Sequence, residues 1–276
     1  MSETARQGGA KAGWQARWYL WDGGFLAFGR ASGVVPPHSH HAIQIVIGLD
    51  GETGLLGPDE EWVRHRGLIV AADVPHQFNP AGSLLAMIFV DPESRSGDWL
   101  RRSLRTPIAK VSDRKLDQVI SELSALWEEP RDAPETAHLV HSVVRELCVG
   151  PSPVYAVDAR ILRALEVIRG MDTAKISLHE VARAVFLSPS RFAHLFSEQM
   201  GLPFRRYVLW RRLTRAMLAV GRGNTLSAAA HLSGFADSAH LTRSCVQMFG
   251  MPPSAMMAPG EFYEIPAPFE LPSPAL

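Results

Sequence analysis

The last hundred residues of the chain contain a repeat, and it limits the fold more than any other feature. With Leu178 laid on Leu226, Ala182 falls on Ala230, Leu187-Ser188 on Phe235-Ala236 and Ser190 on Ser238. After one extra residue Phe192 meets Leu241, Phe196 meets Cys245, Gly201 meets Gly250 and Pro203 meets Pro252. Each copy reads as a short helix, a tight break, a second helix and a Gly-x-Pro stop. The central alanine lets two helices approach closely, and glycine followed by proline ends the second one. That is the layout of a helix-turn-helix, occurring twice.

The helical period assigns the faces. In the first copy Ser188 is suited to the N-cap with Pro189 at the first helical position. Phe192, Leu195, Phe196 and Met200 then form a core stripe, leaving Ser190, Arg191, His194 and Glu198 outside. In the second copy Leu241, Cys245, Met248 and Phe249 point inward, and Ser238, His240, Arg243 and Gln247 outward. Each outward set places hydrogen-bonding side chains near the helix N-terminus, the end that enters the major groove in this motif. Ser190, Arg191, His194, Ser238, His240 and Arg243 are therefore the candidate DNA contacts; the plain alternative for them is ordinary helix surface.

The charge distribution agrees. The chain is formally neutral, yet residues 156–260 hold thirteen Lys+Arg against six Asp+Glu, and twelve of the thirteen are arginine. Arginine suits bidentate contact with phosphate and guanine. A basic half joined to an acidic half points to one part meeting nucleic acid and another doing something else. No apolar run approaches the ~18 residues that cross a bilayer, and Arg17 and Asp22 interrupt the only N-terminal stretch resembling a secretory signal. Cys148 and Cys245 both lie in helical apolar patterns and read as small core residues. No membrane association and a cytoplasmic location are the expectations.

Upstream the rhythm changes. "GFLAFGRASG", "AIQIVIGLDGETGLLG", "EWVRHRGLIVAA" and "SLLAMIFVD" are short apolar or alternating runs divided by Gly, Pro and Asp, which suits a small antiparallel barrel or sandwich. Leu116, Val119, Ile120, Leu123 and Leu126 make one helical stripe; Leu139, Val140, Val143, Val144 and Leu147 make another. This antiparallel pair either packs on its own domain or forms a homodimer contact. "GPSPVYAVD" has linker composition, and the Pro-rich end "IPAPFELPSPAL" predicts disorder. The expected organisation is a multidomain α+β chain: a barrel over 1–105, a helical pair over 106–150, a linker over 151–157, a doubled helix-turn-helix over 158–260 and a disordered tail over 261–276.

"LSPSRFAHLFSEQMGLPFRRYVLWRRLTRAMLAV" followed by "AAAHLSGFADSAHLTRSCVQMFGMPPS" resembles the DNA-binding domain of the AraC/XylS family of bacterial transcription regulators across roughly a hundred residues. The resemblance implies two helix-turn-helix units joined by a long helix, about Phe204 to Val220, that holds both recognition helices on one side of DNA. It also implies RNA polymerase as a partner and an effector-binding N-terminal domain. Two departures remove positive charge: His194 stands where arginine is frequent, and Gln247-Met248 replaces a basic pair before "FG".

In the N-terminal half, His38 and His40 lie two apart leading into a strand, Gln44 has the same parity, and His76 follows in "DVPHQFN" with Asn79 nearby. This is similar to the cupin fold, whose metal-binding members use two histidines, a carboxylate and a later histidine; Gln44 takes the carboxylate position. His38, His40, Gln44 and His76 are thus candidates to line an effector pocket or to hold a divalent metal, no other cofactor being suggested. Trp14, Trp18, Trp21 and Phe28 suit either a pocket lining or a core, while His65, His138, His141 and His179 read as surface. The leading expectation is a regulator, not an enzyme, binding double-stranded DNA under the control of a small effector. Its rivals are a cupin-type metal-dependent enzyme with an accessory helical domain, and a constitutive DNA-binding protein whose empty barrel only scaffolds a dimer.

Overall fold

The structure, a computed structural model, describes residues 16–21, 24–147, 158–256 and 260–265. Cys148, Trp14, the linker at 151–157 and the tail beyond residue 265 lie outside the described residues. The N-terminal half is built from β1 (Ala16–Trp21), β2 (Gly24–Arg30), β3 (Val35–His38), β4 (Ile43–Gly48), β5 (Thr53–Leu56), β6 (Trp62–His65), β7 (Gly67–Val70), β8 (His76–Asn79) and β9 (Leu84–Val90). Helix α1 (Arg95–Ser103), strand β10 (Ile108–Lys110) and helices α2 (Asp113–Glu128) and α3 (Ala133–Leu147) follow.

These strands form two sheets. One has the order β3-β8-β5-β6; the other runs β10-β7-β4-β9-β2-β1 and gains a seventh strand, β11 (Gly260–Glu264), at its β1 edge. Val46, Leu68 and Leu85 of the larger sheet meet Leu55 and Phe78 of the smaller one, making the inner core of an open, cupin-like sandwich. The other face of the larger sheet is covered too. Ile43, Ile45 and Ile47 of β4 pack in one cluster with Leu116, Leu123, Val140 and Val144 of α2 and α3. Burial on both faces explains why β4 reads as a continuous apolar run. It also settles what the helical pair buries: both apolar stripes are spent on their own domain.

The C-terminal half contains α4 (Ala159–Gly170), a 3-10 turn (Thr173–Lys175), α5 (Leu178–Ala184), α6 (Pro189–Met200), α7 (Phe204–Gly221), α8 (Leu226–Leu232), α9 (Ser238–Phe249) and α10 (Pro253–Met256). Caps delimit the repeated units as their side chains require. The oxygens of Ser188 and Asp237 accept from the backbone N–H of Arg191 and His240, and Gly201 and Gly250 end α6 and α9 in the left-handed region. Ala182 and Ala230 are fully buried where the paired helices cross. The turns differ at one equivalent position: Gly234 has φ +81°, whereas Phe186 adopts φ +58° with its side chain 95% exposed.

Two cores serve this half. Ile161, Leu165, Val181, Phe192, Phe196 and Tyr207 enclose the first unit. The second unit shares its core with the sandwich: Trp210, Leu213, Leu241, Met248 and Phe249 cluster with Trp18, Leu20, Phe25 and Phe89. The chain closes back on itself as well. Where a disordered tail is expected from residue 261, β11 pairs in parallel with β1 through Ala16↔Gly260 to Leu20↔Glu264. Trp18 stacks on Phe262 and Tyr19 on Tyr263, so the edge strand is held by aromatic burial as well as by its ladder.

Candidate DNA interface and effector cavity

Helices α6 and α9 both pack on α7, which gives each recognition helix the same rigid support. Their inward stripes are buried as the period predicts: Phe192, Leu195 and Phe196 in α6, and Leu241, Cys245, Met248 and Phe249 in α9. Ser190, Arg191 and His194 are exposed on α6, and Arg243 is exposed on α9. Ser238 and His240 are only half-buried or less open, and the His240 ring stands edge-on to Phe235 at 5.2 Å. His240 therefore also packs the turn of the second unit. Gln247 and Glu198 face solvent.

The arginine excess is divided between two jobs. Arg160 pairs with Asp158, Arg163 with Glu166, Arg222 with Glu264, and Arg212 donates to the Thr173 carbonyl. Arg211 is buried and Arg206 reaches the sandwich. A count of charges did not separate these structural arginines from the exposed Arg191 and Arg243.

A cavity of about 110 Å³ opens where the second unit meets the sandwich. Strand residues Trp18, Phe25, Met87 and Phe89 form one wall; Phe249 and Met256, from the end of α9 and from α10, form another. Of the pocket aromatics expected from sequence, Trp18 and Phe28 line this cavity, and Trp21 lies in the core behind the sheet. His38 and Gln44 contribute polar atoms to it.

Behind these two, His38, His40 and His76 bring one nitrogen each within 4.8 Å of the others, all buried. Each Nδ1 lies against a backbone carbonyl: His38 on Pro36 at 2.8 Å, His40 on Ala42 at 2.9 Å and His76 on Val74 at 2.9 Å. A carbonyl only accepts, so every Nδ1 carries the proton and every Nε2 presents a lone pair. The Gln44 carboxamide lies 2.9 Å from His40 Nε2 and 3.1 Å from His76 Nε2, so its NH₂ edge donates to both. Burial lowers the His38 pKa. Burial followed by His76 and His38 pushes His40 well down, and burial with His38 takes His76 to about 4. The cluster is thus neutral, with converging lone pairs already oriented by their second partners, as metal-ligating imidazoles are.

A second buried cluster was not singled out from sequence. His41 sits against Asp73 Oδ2 at 2.8 Å through Nδ1 and against Glu93 Oε1 at 2.5 Å through Nε2. Burial alone would lower its pKa; the Glu93 and Asp73 carboxylates outweigh that and raise it to about 10, so both nitrogens donate. Burial and the adjacent Glu93 charge hold the Asp91 carboxyl well above its usual range, while His41 keeps Glu93 below its own despite burial. Helix α7 closes the cluster. Arg206 donates to Ser39 Oγ at 2.7 Å and lies 3.3 Å from Asp73 Oδ1, and the Tyr207 ring stands edge-on to His41. The "HSHH" run held the only sequence signal, since His41 breaks the parity of His38 and His40. His65, expected at the surface, is half-buried and joins the Gly67 carbonyl to Asp113 of α2. His138 and His179 are exposed as expected; no side-chain description extends to His141.

Residues 181–258, covering both repeated units, match the family model described as a helix-turn-helix domain. The chain is 25% identical over 227 residues to the probable transcriptional regulator LumQ of Photobacterium leiognathi, across 79% of this chain and 90% of LumQ. The chain is thus similar to transcription regulators along most of its length, and its C-terminal part carries the helix-turn-helix domain. Its helix-turn-helix part is also 32% identical over 93 residues to the transcriptional activator RhrA of Rhizobium meliloti, which is 33% of this chain and 29% of RhrA. The chain shares its two-part fold with ToxT of Vibrio cholerae, at TM-score 0.55 and 9% identity over 90% of this chain and 98% of ToxT. ToxT with an unsaturated fatty acid bound superposes at TM-score 0.54 and 11% identity, over 93% of this chain and 97% of that one. Among the described residues, no helix is long and apolar enough to cross a membrane.

Proposed function

We propose that this chain is a sequence-specific DNA-binding transcription regulator whose N-terminal sandwich senses a small effector and so modulates DNA binding. The observation that carries the reading is the shared wall. The helix that presents Ser238, His240 and Arg243 outward ends in Phe249, which lines the sandwich cavity. A ligand there has a direct mechanical route to α9, and its differential affinity for two placements of that helix shifts the population that fits DNA. Arg191 and Arg243 make the principal phosphate or base contacts, and Ser190, His194, Ser238 and His240 supply positioning contacts. LumQ and RhrA being named as transcriptional regulators supports this reading, and RNA polymerase is the further partner it implies. A homodimer, if formed, uses a surface other than the apolar stripes of α2 and α3.

The test is fluorescence anisotropy of full-length protein on duplexes tiled across the DNA upstream of its own gene. A salt-sensitive preference of at least about 10³-fold over random duplex is expected. Equal binding to all duplexes would overturn the proposal.

The histidine cluster favours a second component of the reading. His38, His40 and His76 would hold a divalent transition ion through Nε2, with Gln44 turned to offer Oε1, and such an ion would supply a Lewis acid beside the cavity. Elemental analysis of the full chain, expected to give one equivalent of metal that is lost in His40→Ala, tests it; metal-free protein from metal-supplemented medium counts against it.

A further inference from the structure

The cavity between the sandwich and the second helix-turn-helix unit carries information about what fits it. We infer that it takes a compact, uncharged, largely apolar molecule about the size of benzene or phenol, bearing at most one polar atom. The inference rests on the effector reading above only for its regulatory consequence.

Size comes first. The space is about 110 Å³. A dry apolar protein cavity of about 150 Å³ accommodates benzene, so this one holds a single small ring or a short branched chain. Charge is the second constraint. Among the described residues, no Lys, Arg, Asp or Glu lines it, and the polar side-chain groups of its lining residues are those of Trp18, Ser32, His38 and Gln44. In the metal-free protein a carboxylate such as the head of the fatty acid bound by ToxT, or an ammonium, would enter with no counter-charge and lose its hydration. The cavity thus selects against ions whatever their shape.

The polar atom has a defined place. With His38 Nδ1–H committed to the Pro36 carbonyl and the Gln44 NH₂ to His40 and His76, the His38 Nε2 lone pair, the Trp18 N–H, the other Gln44 amide atom and the exposed Ser32 hydroxyl at the rim remain to meet one hydroxyl or carbonyl. The rest of the ligand is met by aromatic faces and methionine. Phe25 stacks on Phe89 at 4.2 Å, and Phe249 stands edge-on to both at 6.2 and 6.1 Å.

The fourth wall is the one that can report occupancy. Gly250, at the end of α9, packs so closely on β3 that an added Cβ would lie 2.7 Å from Val35 Cγ1 and 3.0 Å from His38 Nδ1. With no slack on that side, a molecule seated against Phe89 and Phe249 bears on the α9 C-terminus. A rigid helix transmits that setting to the Arg243 face.

The experiment uses full-length, chelator-treated protein with phenol and benzoate as probes, read by calorimetry and by tryptophan fluorescence. Saturable binding of phenol is expected, with benzoate at least 100-fold weaker. Ala27→Leu, which fills the cavity from β2, should weaken phenol at least tenfold. Ser32→Lys, at an exposed rim position that cannot disturb the core, should instead improve benzoate at least tenfold while leaving phenol within threefold. Benzoate binding the wild type as tightly as phenol, no saturable phenol binding, or phenol affinity untouched by Ala27→Leu in a folded variant would each overturn the ligand class. The regulator reading is judged separately. Phenol bound in the cavity with unchanged affinity for the cognate duplex upholds the ligand class and removes the effector role.

Discussion

Replacing His41 by leucine tests how the DNA-binding half is tied to the sandwich. In the folded protein His41 donates to Asp73 and Glu93 and holds its proton up to a pKa of about 10, against about 6.5 for a free histidine. A folded-state pKa above the unfolded one stabilises the protein fully below pH 6.5, and that stabilisation is lost as pH rises toward 10. At pH 7.5 the difference is worth about 3 kcal/mol. The cost of stranding the partner of a buried ion pair falls in the same range, about 3–5 kcal/mol. Between pH 7.5 and 9.5 about 2.5 kcal/mol of the stabilisation disappears. His38, His40 and His76, with lowered pKa values, are neutral in both states over this interval and contribute no slope. Cys245, pushed up to about 12 by burial, adds a slope that wild type and variant share. Urea denaturation followed by tryptophan fluorescence should therefore show His41→Leu about 3 kcal/mol less stable at pH 7.5. The gap should shrink by about 2.5 kcal/mol by pH 9.5. A gap that stays constant with pH would mean that His41 is not charged in the fold and that its cluster with Asp73, Glu93 and α7, a latch between the two halves, does not hold as described.

Phe186→Gly should stabilise the protein by about 0.5–1 kcal/mol, because it relieves a bulky residue at φ +58° while forfeiting part of the gain to unfolded-chain entropy; thermal melts would show it, and a lower Tm would mean that the exposed ring makes a contact in the native state. Gly250→Ala should cost about 1–2 kcal/mol, since the left-handed cap (φ +71°) is strained for alanine and its Cβ would press on Val35 and His38. The control Gly201→Ala shares the left-handed φ but has open space around its Cβ, so it should cost measurably less; equal costs would refute the tight packing of α9 on β3. Arg191→Ala and Arg243→Ala should each weaken binding to the cognate duplex at least tenfold and lower the slope of log K against log salt by about one if the contact is to phosphate. Unchanged affinity in both would move the interface elsewhere.

What the sequence determines by itself is local. The doubled helix-turn-helix is legible because its signals lie within a few residues of one another: a Ser or Asp cap, a proline at the first turn, a glycine at the last and an apolar stripe at three- and four-residue spacing. Hence α6 and the connector α7 fall where the period places them, from Pro189 and Phe204. The tris-histidine cluster is legible only as a set of residues: the parity that suggests one strand does not hold, because His38 ends β3, His40 lies in the connection and Gln44 belongs to β4 of the other sheet, and His76 joins them through the β3–β8 pairing. Tertiary structure alone decides the rest. The His41 latch joins Asp73, Glu93 and Arg206 across separations of up to 167 residues between Ser39 and Arg206, and no local preference marks any of them. The same holds for β11, a short segment beside a Pro-rich end that becomes a strand only because β1 offers an unpaired edge and Trp18 and Tyr19 offer aromatic faces. It holds for the cavity too, whose walls come from opposite ends of the chain. Caps and helical stripes are satisfied by neighbours in sequence; buried charges, sheet edges and shared walls are satisfied only by whatever the completed fold brings alongside.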